Sequence, residues 1–211
     1  MTPHRSLEDV LIPAYEPCHE FNQNCQEMMR WDPKAGHIPR GFAGACGDLS
    51  EVELVLVFAE PGNPHIGERH CGLLSAYYYA MLVLATGKDQ FHRNVRKILD
   101  SSWPGMSFQE QMRKVWLTNS VLCSAPVEGG HVPRNVALAC GHRYLLAQLN
   151  LLPNALVVAL GQKAQDRLRT LGVTGHLSVF AAAPPGCNKP GAVESWDKIP
   201  IELRQRRHNQ A

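Results

Sequence analysis

The chain has 211 residues, 45% hydrophobic and 19% charged, with a formal net charge of +2. That length and balance fit one ordinary globular domain with a good core. No stretch approaches the roughly 18 uncharged apolar residues of a membrane span, and the small positive charge permits a nucleic-acid partner without demanding one.

The N-terminus, MTPHRSLEDVLIP, has no long apolar core before a small-residue cleavage site, so a reducing, cytoplasmic setting is expected. In that setting seven cysteines point to metal or cluster ligation before disulfides. Residues 1–50 are rich in Pro, Gly, Cys and His with little regular period. They read as a short helix followed by an irregular arm. Strands are predicted at 53–59, 115–119, 155–160 and 177–181. Helical periodicity marks 73–85, 92–99, 108–113, 136–149 and 164–171. Residues 188–193 read as a loop and 198–207 as a basic terminal helix. The expected organisation is one domain over 1–211: the Cys-containing arm (1–50), an α/β core (51–187) and a basic tail (188–211). Strands that alternate with helices and are apolar on both faces predict a short four-stranded parallel sheet flanked by helices on both sides.

Ligands of open parallel sheets bind beyond the carboxyl ends of the strands. Each predicted strand here ends unusually. The first runs into Glu60-Pro61-Gly62, the second into Thr118-Asn119, and the third into Gly161 at a helix start. The fourth ends in Ala183-Pro184-Pro185-Gly186. Four such ends on one edge point to one site. A dinucleotide or triphosphate enzyme is disfavoured, because neither G-x-G-x-x-G nor G-x-x-x-x-G-K-[ST] follows any strand.

The order of VFAEPG, VWLTNSVLCSAP, CGHRYLLAQL, NALVVALGQKAQDRL and FAAAPPG resembles the uracil-DNA glycosylase superfamily, and most of all its iron–sulfur branch. The resemblance spans residues 53 to 187. It implies a DNA glycosylase that turns a nucleotide out of the duplex and hydrolyses its N-glycosidic bond, leaving an abasic site. It places Glu60 beside the sugar, to position water and offset oxocarbenium charge. Pro61 and Gly62 turn the chain against the DNA backbone. Asn119 reads a pyrimidine edge with one donor and one acceptor. Pro184 and Gly186 belong to the phosphate-gripping last motif. Without the motif, Glu60 would read as a loop carboxylate and Asn119 as a turn cap.

The chain departs from the pattern in two places. The His expected in the last motif is replaced near Ala183, with His131 and His176 as substitutes from elsewhere. The stacking aromatic falls near His70 or Cys71, with Tyr77–Tyr79 as an alternative source. Both departures point away from plain uracil and towards a modified pyrimidine, such as one of phage DNA, which opens a defence role beside repair. By resemblance, Cys18, Cys25, Cys123 and Cys140 hold a structural 4Fe–4S cluster, with Cys46 an alternative ligand. Zinc, with His19 joining, and free thiols are the other readings. Cys71 and Cys187 read as ordinary buried thiols. Arg134, Lys163, Lys189 and the tail arginines Arg204, Arg206 and Arg207 are candidate phosphate contacts. DNA is the expected partner of a monomer with no membrane attachment. The rival reading is a non-catalytic DNA- or damage-binding protein on the same fold.

Overall fold

The computed structural model describes residues 1–16, 18–25 and 28–210. Its sheet has five strands: β1 (Ala43–Gly44), β2 (Leu54–Phe58), β3 (Val115–Asn119), β4 (Leu156–Leu160) and β5 (Leu177–Val179), in the order β1-β3-β2-β4-β5. The four predicted strands are all present and all parallel. The expected count of four is corrected by β1, which pairs antiparallel with β3 at the sheet edge. Every residue of β2 and β3 is buried, so both faces of the sheet centre are covered.

The helices are α1 (Arg5–Leu11), α2 (Leu73–Thr86), α3 (Gln90–Ser102), α4 (Phe108–Lys114), α5 (Arg134–Cys140), α6 (Leu146–Asn150), α7 (Gln162–Thr170), α8 (Ala192–Trp196) and α9 (Lys198–Gln210). The single helix predicted over 136–149 is α5 and α6 joined by one wide π turn, Gly141–Leu145. Such turns are rare and often lie at functional sites. Among the described residues no helix is long and apolar enough to cross a membrane.

The arm is more ordered than its composition predicts. Leu7 and Leu11 of α1 are in the core, and Phe42 stacks on Trp116 of β3 with ring centroids 6.3 Å apart. Tyr15 meets Phe42 edge-on and donates its hydroxyl hydrogen to the Pro39 carbonyl at 2.7 Å. Three aromatic rings therefore fasten the arm to the sheet.

One buried amide joins β3 to the helix behind it. Gln148 Oε1 accepts from Trp116 Nε1 at 2.9 Å and from the Thr118 hydroxyl at 2.8 Å, while its Nε2 donates to the Tyr144 carbonyl. Gln148→Leu keeps the volume but strands two buried donors. The expected loss is about 2–4 kcal/mol in urea unfolding, with an unchanged m-value.

Candidate active site

The sheet register assembles the site. Phe58 and Asn119 lie side by side at the ends of β2 and β3, and Val57 pairs with Ala159 one residue before the end of β4. The connections from β2 and β4 depart to opposite sides, so the crevice opens between these two strands. A cavity of about 600 Å³ occupies it, lined by residues 58–66, Asn119, Leu160 and 181–183 among others. Glu60, Pro61, Gly62 and Asn119 therefore share one cavity. Pro184 and Gly186 stand outside its lining, where Ala183 is the last contributor.

Glu60 leaves β2 into an ionic clamp. Its side chain is 5% exposed, with Oε1 2.5 Å from Lys163 Nζ and Oε2 2.6 Å from Arg167 Nη1. The second contact is a charge contact without hydrogen-bond alignment, since Oε2 has no hydrogen-bond partner. Lys163 also donates to the carbonyls of Gly129 and Gly130 at 2.9 and 2.6 Å. Its ammonium, read from sequence as a phosphate contact, is thus engaged within the protein. The next residues are held as firmly. Gly62 offers its carbonyl to Arg40 and to the Ser124 hydroxyl, and Glu128 grips the Asn63 backbone and side chain. A Cβ at 62 would stand 2.5 Å from Glu128 Oε1 and would push that carboxylate away from Asn63.

Asn119 is 5% exposed and donates from Nδ2 to the Arg40 carbonyl at 2.9 Å. Only the NH₂ end can bond a carbonyl, so this contact assigns the amide orientation. Oδ1 and the second amide hydrogen remain for a ligand. Gly41 makes the approach feasible: its φ is +86°, and a Cβ there would lie 2.7 Å from Asn119 Nδ2.

The far wall is polar, and the sequence reading missed it. His65 Nε2 lies 3.0 Å from Asp89 Oδ2, and His65 Nδ1 lies 2.9 Å from the Tyr79 hydroxyl. His92 Nδ1 stands 2.8 Å from Asp89 Oδ1. Burial lowers the pKa of His92, outweighing the opposing pull of Asp89. Behind this wall Glu68 bridges Arg40 at 3.4 Å and His70 at 2.8 Å. Burial acts to raise the pKa of Glu68, but hydrogen bonds from His70 and the His65 N–H, with the Arg40 charge, bring it below its ordinary value. The one local signal was Asp89-x-x-His92 at a helix start, an N-cap pattern. Of the rings considered for stacking, Tyr79 lines the cavity, whereas Tyr77 is buried in the core and His70 is tied to Glu68. His176 bonds the Val173 carbonyl away from the cavity. His131 and Arg134 line a separate cavity of about 300 Å³ on the other side of Lys163 and Arg167.

The family model of the Uracil DNA glycosylase superfamily matches residues 77–198, more than half of the chain. The chain belongs to the uracil DNA glycosylase superfamily. No curated protein matches it. Superfamily membership assigns it coarsely as a glycosylase-type enzyme that acts on DNA. The match includes Asn119 and two of the four candidate ligand cysteines, Cys123 and Cys140, and it begins after Glu60-Pro61-Gly62.

The four cysteines that the superfamily's iron–sulfur branch implied come together. Cys140, Cys18 and Cys25 are neighbours of Cys123; burial drives the Cys123 pKa well up, and these thiols add to it. Burial likewise pushes the Cys25 and Cys140 thiols up to about 12, with Cys18 adding to both. The Leu122 N–H donates to Cys140 Sγ at 3.4 Å, and the buried Tyr144 hydroxyl, without a hydrogen-bond partner, lies beside Cys18. Cys46 is elsewhere, 3.0 Å from the Tyr77 hydroxyl. Cys71 is exposed and Cys187 half-buried, so neither is the buried thiol expected. Among the basic residues of the tail, Arg207 pairs with Glu53 and Arg206 with Glu202, while Lys189 and Arg204 are exposed.

Gly41→Ala forces a left-handed backbone onto an L side chain and drives a methyl group into Asn119. A loss of about 1–3 kcal/mol is expected in chemical denaturation. DNA affinity should fall with it; unchanged stability and affinity would show that the amide tolerates displacement.

Proposed function

We propose that this chain is a DNA glycosylase that hydrolyses the N-glycosidic bond of a pyrimidine turned out into the 600 Å³ cavity. The observation that carries this reading is that Glu60 and Asn119, from the ends of two adjacent strands, line one cavity. In the reaction the C1′–N bond breaks and its electron pair leaves with the base. Water held against Glu60 adds its oxygen to C1′ and yields its proton to the carboxylate. The fixed charge of Glu60 opposes the positive charge that develops on the sugar, reduced in strength by Lys163 and Arg167. Asn119 Oδ1 accepts from a base N–H, and its free amide hydrogen donates to a base carbonyl.

The cavity is larger than bare uracil needs, and Ala183 leaves space where the superfamily's motif His would stand. These features favour a pyrimidine that carries a substituent, a modified base of phage DNA included, which would make the role defence rather than repair. Ile66, fully exposed and part of the cavity lining, is read as the side chain that fills the gap left in the base stack. The rival reading, a binder without turnover, draws on the same clamp: Glu60's oxygens are engaged by two cations.

Incubation with duplexes that carry uracil, mismatched thymine, hydroxymethylcytosine or glucosylated hydroxymethylcytosine, followed by alkali, separates the two. Cleavage is expected at one base. Glu60→Gln should slow it about 10²–10⁴-fold, and Ile66→Ala should slow it on duplex more than on single strands. Salt-sensitive binding without cleavage at any base would favour the binder.

The four converging cysteines are read as ligands of a 4Fe–4S cluster, which would tie the arm to the strand ends without entering the chemistry. Two observations support it. Burial makes the Cys25, Cys123 and Cys140 thiols hard to ionise without a compensating cation. No three of these sulfurs gather within 4.8 Å of one another, wider than the edges of about 3.8 Å that zinc with ~2.3 Å bonds to sulfur would require. Protein prepared without oxygen should be brown, with iron and labile sulfide in equal amounts. Cys140→Ser should remove both. A colourless protein with one zinc per chain would overturn the cluster.

A further inference from the structure

We propose that His65, Asp89 and His92 form a binding site for a divalent first-row transition-metal ion on the wall of the active-site cavity. This goes beyond the glycosylase reading and stands or falls separately from it, and it is separate from the cysteines. Among the described residues these three are the group whose donor atoms all lie within 4.8 Å of one another. The inner distances match shared coordination. Two imidazole nitrogens flank one carboxylate at 3.0 and 2.8 Å. Neighbouring ligands around an ion with bonds of about 2.1 Å stand about 3.0 Å apart when they meet at right angles.

Two further features separate this trio from an ordinary hydrogen-bond network. First, His92 Nδ1 is buried and has no hydrogen-bond partner although the carboxylate is 2.8 Å away. An unsatisfied buried nitrogen is uncommon, and a metal bond would satisfy it. Secondly, the outer contacts are those that orient ligands. His65 Nδ1 is occupied by the Tyr79 hydroxyl at 2.9 Å, with Glu68 Oε2 at 3.4 Å, which directs Nε2 towards Asp89. Asp89 is held in turn as the N-cap of α3, where Oδ1 accepts from the His92 N–H at 2.9 Å. Folding of α3 thus sets the carboxylate between the two imidazoles.

Two imidazoles and one carboxylate suit zinc, iron(II), cobalt or manganese, whereas calcium and magnesium prefer all-oxygen sets. All three residues line the cavity. The remaining coordination positions would therefore face bound substrate or water, as in metal sites that keep an open position.

Titration of the full chain with Co²⁺, followed by visible absorption, tests the site. One equivalent should produce d–d bands of nitrogen and oxygen ligation, without the near-ultraviolet charge transfer of thiolates, and Zn²⁺ should displace it. His92→Ala and Asp89→Asn should weaken binding at least as much as the roughly 10–100-fold lost when a ligand's hydrogen-bond partner is removed. Cys140→Ser should leave it unchanged. Asn at 89 keeps a good N-cap, so an unaltered circular dichroism spectrum would separate loss of the site from loss of the helix. Binding with thiolate bands only, no binding, or variants that bind as tightly as the unaltered chain would overturn the proposal.

Discussion

A carboxylate withdrawn from water between two cations holds the working edge of the sheet together. Glu60 is the first polar side chain beyond β2, and burial of its charge is tolerated only because Lys163 and Arg167 meet it. The two cations are four residues apart and so share one face of α7. Their contact with Glu60 sets α7 over the exit of β2. Lys163 then gathers the carbonyls of Gly129 and Gly130, so strand end, helix start and covering loop meet at one charge. The oxygens that organise the crevice are also the ones that chemistry at the sugar would use.

Arg40 has a similar position between the arm and the cavity. Its carbonyl orients Asn119, and its guanidinium reaches Gly62, Ser124 and Glu68. Burial lowers its pKa, and Glu68 is the largest influence against that. Two residues further on, Phe42 packs on Trp116. The arm is thus part of the cavity wall that carries Asn119. Backbone, amide and guanidinium are mutually fixed, so this wall of the cavity is held by contacts within the chain.

The central strands were legible because they are short apolar runs with abrupt polar ends, and 115–119 matched residue for residue. The fourth strand was read two residues too long. Both polar backbone groups of Phe180 are taken by Ser195 and Trp196 of α8, so pairing with β4 stops at Val179. That helix hides in a Pro- and Gly-rich stretch, and β1 is Ala-Gly, which has no strand signature. Glu60 and Asn119 were found because motif order marks strand ends. His65, Asp89 and His92 were not, because 24 residues separate the first two and only the fold closes that distance. The Cys18–Cys25 pair was reached by resemblance; the place of Cys46 needed its neighbour Tyr77.

The π turn after Cys140 resolves a mismatch of pitch. Cys140 must face Leu122, just past the end of β3, while Gln148 must face Trp116 and Thr118 within it. Eight residues of unbroken α-helix would leave those two side chains about 80° out of phase. A wider turn rotates less per residue, and five such residues bring the thiol and the amide onto one stripe. A single rod can then address two partners whose spacing no regular helix would fit, and the irregular turn acts as the vernier between them.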